Sequence, residues 1–170
     1  MIAYLAKQLD VDRCAFDALP ATATATSGGG SLTQALSIAA SSDSDESIEG
    51  LIDGLASADE EDPLLRWQAL WVIAGYRSRN GERAEEQACL EELVEVADEL
   101  GHPALQCRSG TQLSRCVRAV GQVARALELA ENAYRVARGA GLSVHDTGTA
   151  LLALVSAEAE AGRLTEARAH

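Results

Sequence analysis

Five glycines and a run of helix-opening residues recur along this chain at one interval. Gly81, Gly121 and Gly162 stand 40 and 41 residues apart, and Gly101 and Gly141 stand 40 apart. Pro63 and Pro103 are also 40 apart, and Ser143 follows at the same interval. Each marker has its own physical reason. Proline opens a helix at its first position, where the missing N–H has no intrahelical partner to lose. Serine caps a helix start, with Asp146 three residues on completing a capping-box arrangement. Glycine accepts the left-handed backbone that ends many helices. Three kinds of marker sharing one period predict stacked repeats of two helices each.

The residues between the markers carry helical periodicity. In the helix expected from about 82 to 100, Cys89, Leu93, Val96, Ala97 and Leu100 share one side, with Glu91, Glu92, Glu95, Asp98 and Glu99 on the other. From about 122 to 139, Leu127, Ala130, Ala133, Tyr134 and Ala137 lie opposite Glu128, Glu131, Arg135 and Arg138. Each helix therefore buries one side and solvates the other, as a stack demands. Composition agrees: aromatics are 4% of the chain and Phe occurs once, which is poor material for strands. The expected fold is all-α, a right-handed α-solenoid of stacked antiparallel helical hairpins.

The N-terminal third is less regular. Residues 1–30 read as an N-terminal segment and flexible linker, ending in the low-complexity run from Ala21 to Gly30. Residues 31–62 read as an acidic, degenerate hairpin. Its helices are marked by Leu32, Ala35, Leu36 and Ala39, then by Ile48, Leu51, Ile52 and Leu55. Residues 63–170 hold the regular repeats. The helix starting near Arg163 has under three turns before His170, so the last repeat reads as truncated. A longer parent protein, or a second copy covering the open repeat as a homo-oligomer, is the expectation there.

Here the sequence resembles a known family. Gly121-Gln122-Val123-Ala124-Arg125-Ala126-Leu127-Glu128-Leu129-Ala130, followed by Ala133, resembles the second helix of a tetratricopeptide repeat. Gly162-Arg163-Leu164-Thr165-Glu166-Ala167 resembles the start of the next one. Leu70 with Ile73, Leu113, and Leu151 with Leu154 match the apolar positions of successive first helices. The period is nearer 40 than the 34 of the standard form. This longer variant resembles the sensor arms of large bacterial multidomain regulators. The resemblance implies a protein-interaction or signal-sensing scaffold, with self-association or small-molecule sensing as alternatives.

Charge limits the partners. The net charge is −12, so the chain should repel nucleic-acid phosphates and anionic lipid. No apolar run approaches the ~20 residues that span a bilayer. The first residues carry Asp10, Asp12 and Asp17, unlike a secretory signal, and the expected location is the cytoplasm. Cys14, Cys89, Cys107 and Cys116 then read as free thiols.

No reaction chemistry is expected. Lys7 is the sole lysine, and the phosphate-loop motif is absent. Gly28-Gly29-Gly30-Ser31 reads as a linker and cap rather than a phosphate cradle. Cys107 and Cys116 are nine apart, which at about 100° per residue sets them on opposite faces of one helix. They cannot share a metal ion, and no metal or cofactor is expected. Ser143, His145 and Asp146 are adjacent, but capping accounts for Ser143 and Asp146, and His145 reads as a solvated first-turn residue.

The resemblance places the first helix of each repeat on the concave face. On that basis the partner-binding candidates are Gln68, Trp71 and Arg79, then Arg108, Gln112, Arg115 and Arg118. The partner expected is a protein or acidic peptide segment, because the guanidinium fork donates two parallel hydrogen bonds to a carboxylate. The alternative is that these arginines pair with the acidic helix before them, at Glu91, Glu92 and Glu95. The acidic stretch 43–62 is a further candidate occupant of the groove in cis.

Overall fold

The computed structural model of the chain describes residues 30–41, 45–57 and 62–170. The segment expected at 1–30 lies outside these residues except for Gly30. Among the described residues there are eight helices and no strand. They are α1 (Gly30–Ser41), α2 (Asp45–Ser57), α3 (Pro63–Asn80), α4 (Arg83–Leu100), α5 (Pro103–Ala119), α6 (Val123–Gly139), α7 (Val144–Glu160) and α8 (Leu164–Ala169).

The markers do what their chemistry requires. Asp62 caps α3 by accepting from the Leu64 N–H at 2.9 Å, with Pro63 in the first turn. Pro103 opens α5. Ser143 Oγ caps α7 by accepting from the Asp146 N–H at 3.1 Å. Gly81, Gly101, Gly121, Gly141 and Gly162 all have φ between +60° and +83°, the left-handed region that side chains with a Cβ avoid. The sequence period is thus the period of the turns.

Hairpins α1–α2, α3–α4, α5–α6 and α7–α8 stack in chain order, the second helix of each also packing on the first helix of the next. The result is an all-α helical-repeat solenoid. The described part of the acidic stretch is α2 and the capping Asp62; α2 packs against α1 and α3 as part of the first hairpin rather than along the later first helices. Tyr76 of α3 donates a hydrogen bond to its Asp45.

The core changes character along the stack. Leu32, Leu36, Ile48 and Leu51 bury their side chains with Trp67, Leu70, Ile73, Leu90, Leu93 and Leu113 in one continuous cluster. Such side chains contribute about 1.5–3 kcal/mol each when fully buried. Further on the contacts are mostly alanine: Cys107, Ala133, Ala137 and Ala150 form one cluster, and Leu127, Ala130, Ala153, Leu154 and Ala157 another. Small side chains let α5, α6 and α7 approach closely. A Cβ at Gly110 of α5 would already touch Ala133 Cβ at 3.5 Å.

One acid of α4 lies outside the polar set of Glu91, Glu92, Glu95, Asp98 and Glu99: Glu86 is buried and receives Arg83 Nη1 at 2.6 Å. Glu86 precedes Cys89 by three residues, which sets it on the apolar stripe.

Candidate functional site

The three long first helices, α3, α5 and α7, carry the seven candidate residues and their neighbours. Gln68 and Trp71 of α3 are half-buried, and Arg79 is exposed near its C-terminal end. On α5, Arg108, Gln112 and Arg118 are half-buried and Arg115 is exposed. On α7, Asp146 and Glu158 are buried, whereas His145 is exposed and Leu152 retains 66% of its accessible surface.

Two of the candidate arginines tie hairpins together. Arg108 Nε donates to Asp146 Oδ1 at 2.8 Å, with Nη2 at 3.5 Å from Oδ2. Asp146 is 7% exposed and also accepts from Ser143 Oγ at 2.7 Å. Burial alone would raise the Asp146 pKa. The hydrogen bonds from Arg108 and Ser143, with the Arg108 charge, outweigh it and hold the carboxyl below its ordinary value. Arg118 pairs with Glu160 at the other end of the α5–α7 joint. Asp146 therefore does more than cap its helix.

Two of the acids expected to pair with these arginines have other partners among the described residues. Glu91 pairs with Arg125 of α6 at 2.7 Å, and Glu92 with Arg66 of α3 at 2.5 Å. Neither Arg125 nor Arg66 is one of the candidates.

Arg115 stands apart. Its Nη1 donates to Gln112 Oε1 at 3.0 Å, a neutral partner, and among the described residues it makes no ion pair. Trp71 stacks on Trp67 with ring centroids 5.1 Å apart and planes 20° from parallel. Trp67 is buried, and its Nε1 donates to Ser109 Oγ of α5 at 2.9 Å.

The charge of this face follows from which helices carry acids. Neither α3 nor α5 contains an Asp or a Glu, while they hold Arg66, Arg77 and Arg79, and Arg108, Arg115 and Arg118. The acids concentrate in α2 and along α4. This segregation is written in the sequence, but reading it as a face requires knowing which helices share a side.

Among the described residues there is no group of three or more His, Cys, Asp or Glu placed to hold a metal ion. Cys107 and Cys116 point to different clusters, α6–α7 and the α1–α5 core, as their spacing requires. Among the described residues no helix is long and apolar enough to cross a membrane.

Comparison with known proteins locates the fold. No family model and no curated protein sequence matches the chain. Among solved structures, the apo form of RapI superposes with a TM-score of 0.66 at 13% identity, over 91% of this chain and 57% of RapI. A structure of nearly identical TPR-like repeats attributed to a Podosopora anserina kinesin light chain gives a TM-score of 0.63 at 23% identity, over 81% of this chain and 68% of that one. The chain thus has the fold of a tetratricopeptide-like helical repeat and spans a little over half of RapI's length.

Proposed function

We propose that this chain is a protein-interaction scaffold, a cytoplasmic regulatory arm of a larger protein, that holds an acidic segment of its partner along α3, α5 and α7. The observation carrying this reading is the absence of any carboxylate from α3 and α5 in a chain of net charge −12. Of the six arginines there, Arg66, Arg108 and Arg118 already pair with carboxylates, and an acidic segment is drawn chiefly by Arg115, which has no ion pair among the described residues. Gln68, Trp71, Arg79, Gln112 and Arg115 are the contact residues. Arg108 and Arg118 act mainly by holding α5 to α7, which sets the spacing of the face.

The test is affinity capture from cytoplasmic extract with a photo-crosslinker at Gln112 of α5, and in parallel at Glu128 of α6. Wild type is compared with Arg115→Glu, both first shown equally helical by circular dichroism. A partner crosslinked from Gln112, lost in Arg115→Glu and weakened by salt, supports the reading. Capture that ignores Arg115 and crosslinks from Glu128 instead removes it.

Self-association is a second reading, favoured by Val144 at 92% exposure, with Leu152 and Leu164 also exposed in the α7–α8 hairpin. Stacked repeats bury such faces against a neighbour. Sedimentation equilibrium distinguishes it: a mass that rises with concentration and falls back in Leu152→Glu supports it, and a constant monomer mass ends it.

A further inference from the structure

The two joints between the long first helices are built differently. α5 and α7 pack directly, whereas no Cα of α3 comes within 8 Å of a Cα of α5. Repeat register supplies the reason. Offset by 40 residues, Trp67 and Trp71 of α3 correspond to Cys107 and Thr111 of α5. The corresponding side chains reach the same way. Trp67 Nε1 donates forward to Ser109 of α5 at 2.9 Å, and the Cys107 thiol donates forward to the Asp146 carbonyl of α7 at 3.9 Å. Two stacked indoles therefore stand where the next repeat has a thiol and a hydroxyl. Close-packed interiors do not compress, so the larger pair holds its helices further apart.

The two joints also differ in charge. At α5–α7, Arg108 and Arg118 already face Asp146 and Glu160. At α3–α5 neither helix has a carboxylate to offer; Gln68 precedes Trp71 by three residues on α3, and Gln112, bonded to Arg115, follows Ser109 by three on α5. Thr111 is 3% exposed, whereas Trp71 is only partly buried.

We propose that Trp67 and Trp71 form a wedge that keeps the α3–α5 seam open, and that this seam seats one apolar side chain of the acidic partner segment against Trp71. The inference rests on the scaffold reading and adds where on it the partner anchors. A carboxylate beside that apolar residue meets Arg115 and Gln112, which supply a guanidinium and an amide. Tryptophan and arginine together make the kind of anchor that dominates binding energy.

The chain's two tryptophans are this pair, so its indole emission reports on the seam directly. The probe is a short peptide alternating Glu and Leu, titrated at low salt, with a Gln–Leu peptide as its neutral counterpart. Wild type should show a saturable emission change with the acidic peptide and little with the neutral one. Trp71→Thr installs the next repeat's residue and leaves Trp67 as reporter. It should weaken binding at least about tenfold, roughly 1.4 kcal/mol. Gln112→Glu leaves the indole stack untouched, sets a carboxylate at the seam and should weaken binding as much. Asn132→Ser on α6, away from this face, should leave it unchanged.

Equal affinity for the two peptides, no saturable change in wild type, or wild-type affinity in Gln112→Glu would each overturn the proposal. A partner captured from extract that depends on Arg115 but not on Trp71 would remove the wedge and leave the scaffold reading standing.

Discussion

Arg108 of α5 and Asp146 of α7 meet across the joint between successive hairpins, Nε to Oδ1 at 2.8 Å, with the carboxylate 7% exposed. The same carboxylate receives Ser143 Oγ, whose oxygen caps the first turn of α7. One side chain therefore fixes both where α7 starts and how it sits on α5. This couples a local feature, a helix cap, to a global one, the pitch of the stack.

Asp146→Ala is expected to destabilise the chain by about 3 kcal/mol, because it leaves Arg108 partly buried without its carboxylate. Arg108→Ala should cost a similar amount, and the double variant less than the sum. The pH dependence has a defined sign. The Asp146 carboxyl is held below its ordinary value in the folded chain, so its contribution is full above the unfolded pKa of roughly 4. It is lost as pH falls through the lower folded value. Urea unfolding from pH 7 to pH 3 checks this. The difference between wild type and Asp146→Asn should stay constant down to about pH 5 and shrink below about pH 4.

The parts of this fold visible in the sequence are those set by neighbouring residues. Proline at a helix start, serine at a cap and glycine in a left-handed turn act within one turn of backbone, so Pro63, Pro103, Ser143 and the five glycines mark the true boundaries. Contacts between repeats are another matter. Arg108 finds Asp146 38 residues on, and Arg118 finds Glu160 42 residues on. Those separations straddle the period of 40, so repeat spacing alone does not choose them over the nearer Glu91 and Glu92. The Trp67–Ser109 bond is equally distant. The face was legible as arginines on a wheel, but which arginines hold the stack together was not.

The turn glycines and the helical glycines should respond oppositely to alanine. Gly121 has φ +83° with open space around it, so Gly121→Ala gains no contact and strains the backbone, costing about 1–2 kcal/mol. Gly148 lies within α7 with nothing within 4 Å of an added Cβ, so Gly148→Ala should stabilise by roughly 0.5–1 kcal/mol. Thermal unfolding of the two variants against wild type reads both signs. A matched gain in Gly121→Ala would contradict the left-handed turn.

The three described cysteines should be inert in the folded chain. Burial pushes the Cys89 and Cys116 thiols up to about 11, and raises Cys107 as well. Cys89 also donates its thiol hydrogen to the Leu70 carbonyl at 3.3 Å. Thiolate is the reactive form, so at pH 8 iodoacetamide should label these positions slowly in the native chain and fully in denaturant. Peptide mass mapping of labelled positions gives the answer. Rapid native labelling of Cys89 or Cys116 would mean that their helices open far more readily than their packing allows.

The bond from Trp67 to Ser109 should be worth about 1 kcal/mol, the usual net contribution of one buried hydrogen bond. Ser109→Ala leaves the indole N–H unsatisfied in a site where Trp67 is 3% exposed. Because that bond is a side-chain link between α3 and α5, its loss should show as easier opening of that seam rather than as lost helix. Hydrogen exchange resolves the two. Amides at the α3–α5 contact should lose protection in Ser109→Ala, while those at the α5–α7 joint, pinned by Arg108 and Asp146, keep it. Uniform loss along the stack would mean that the two joints open together, and that the tryptophan pair is not a separate mechanical element.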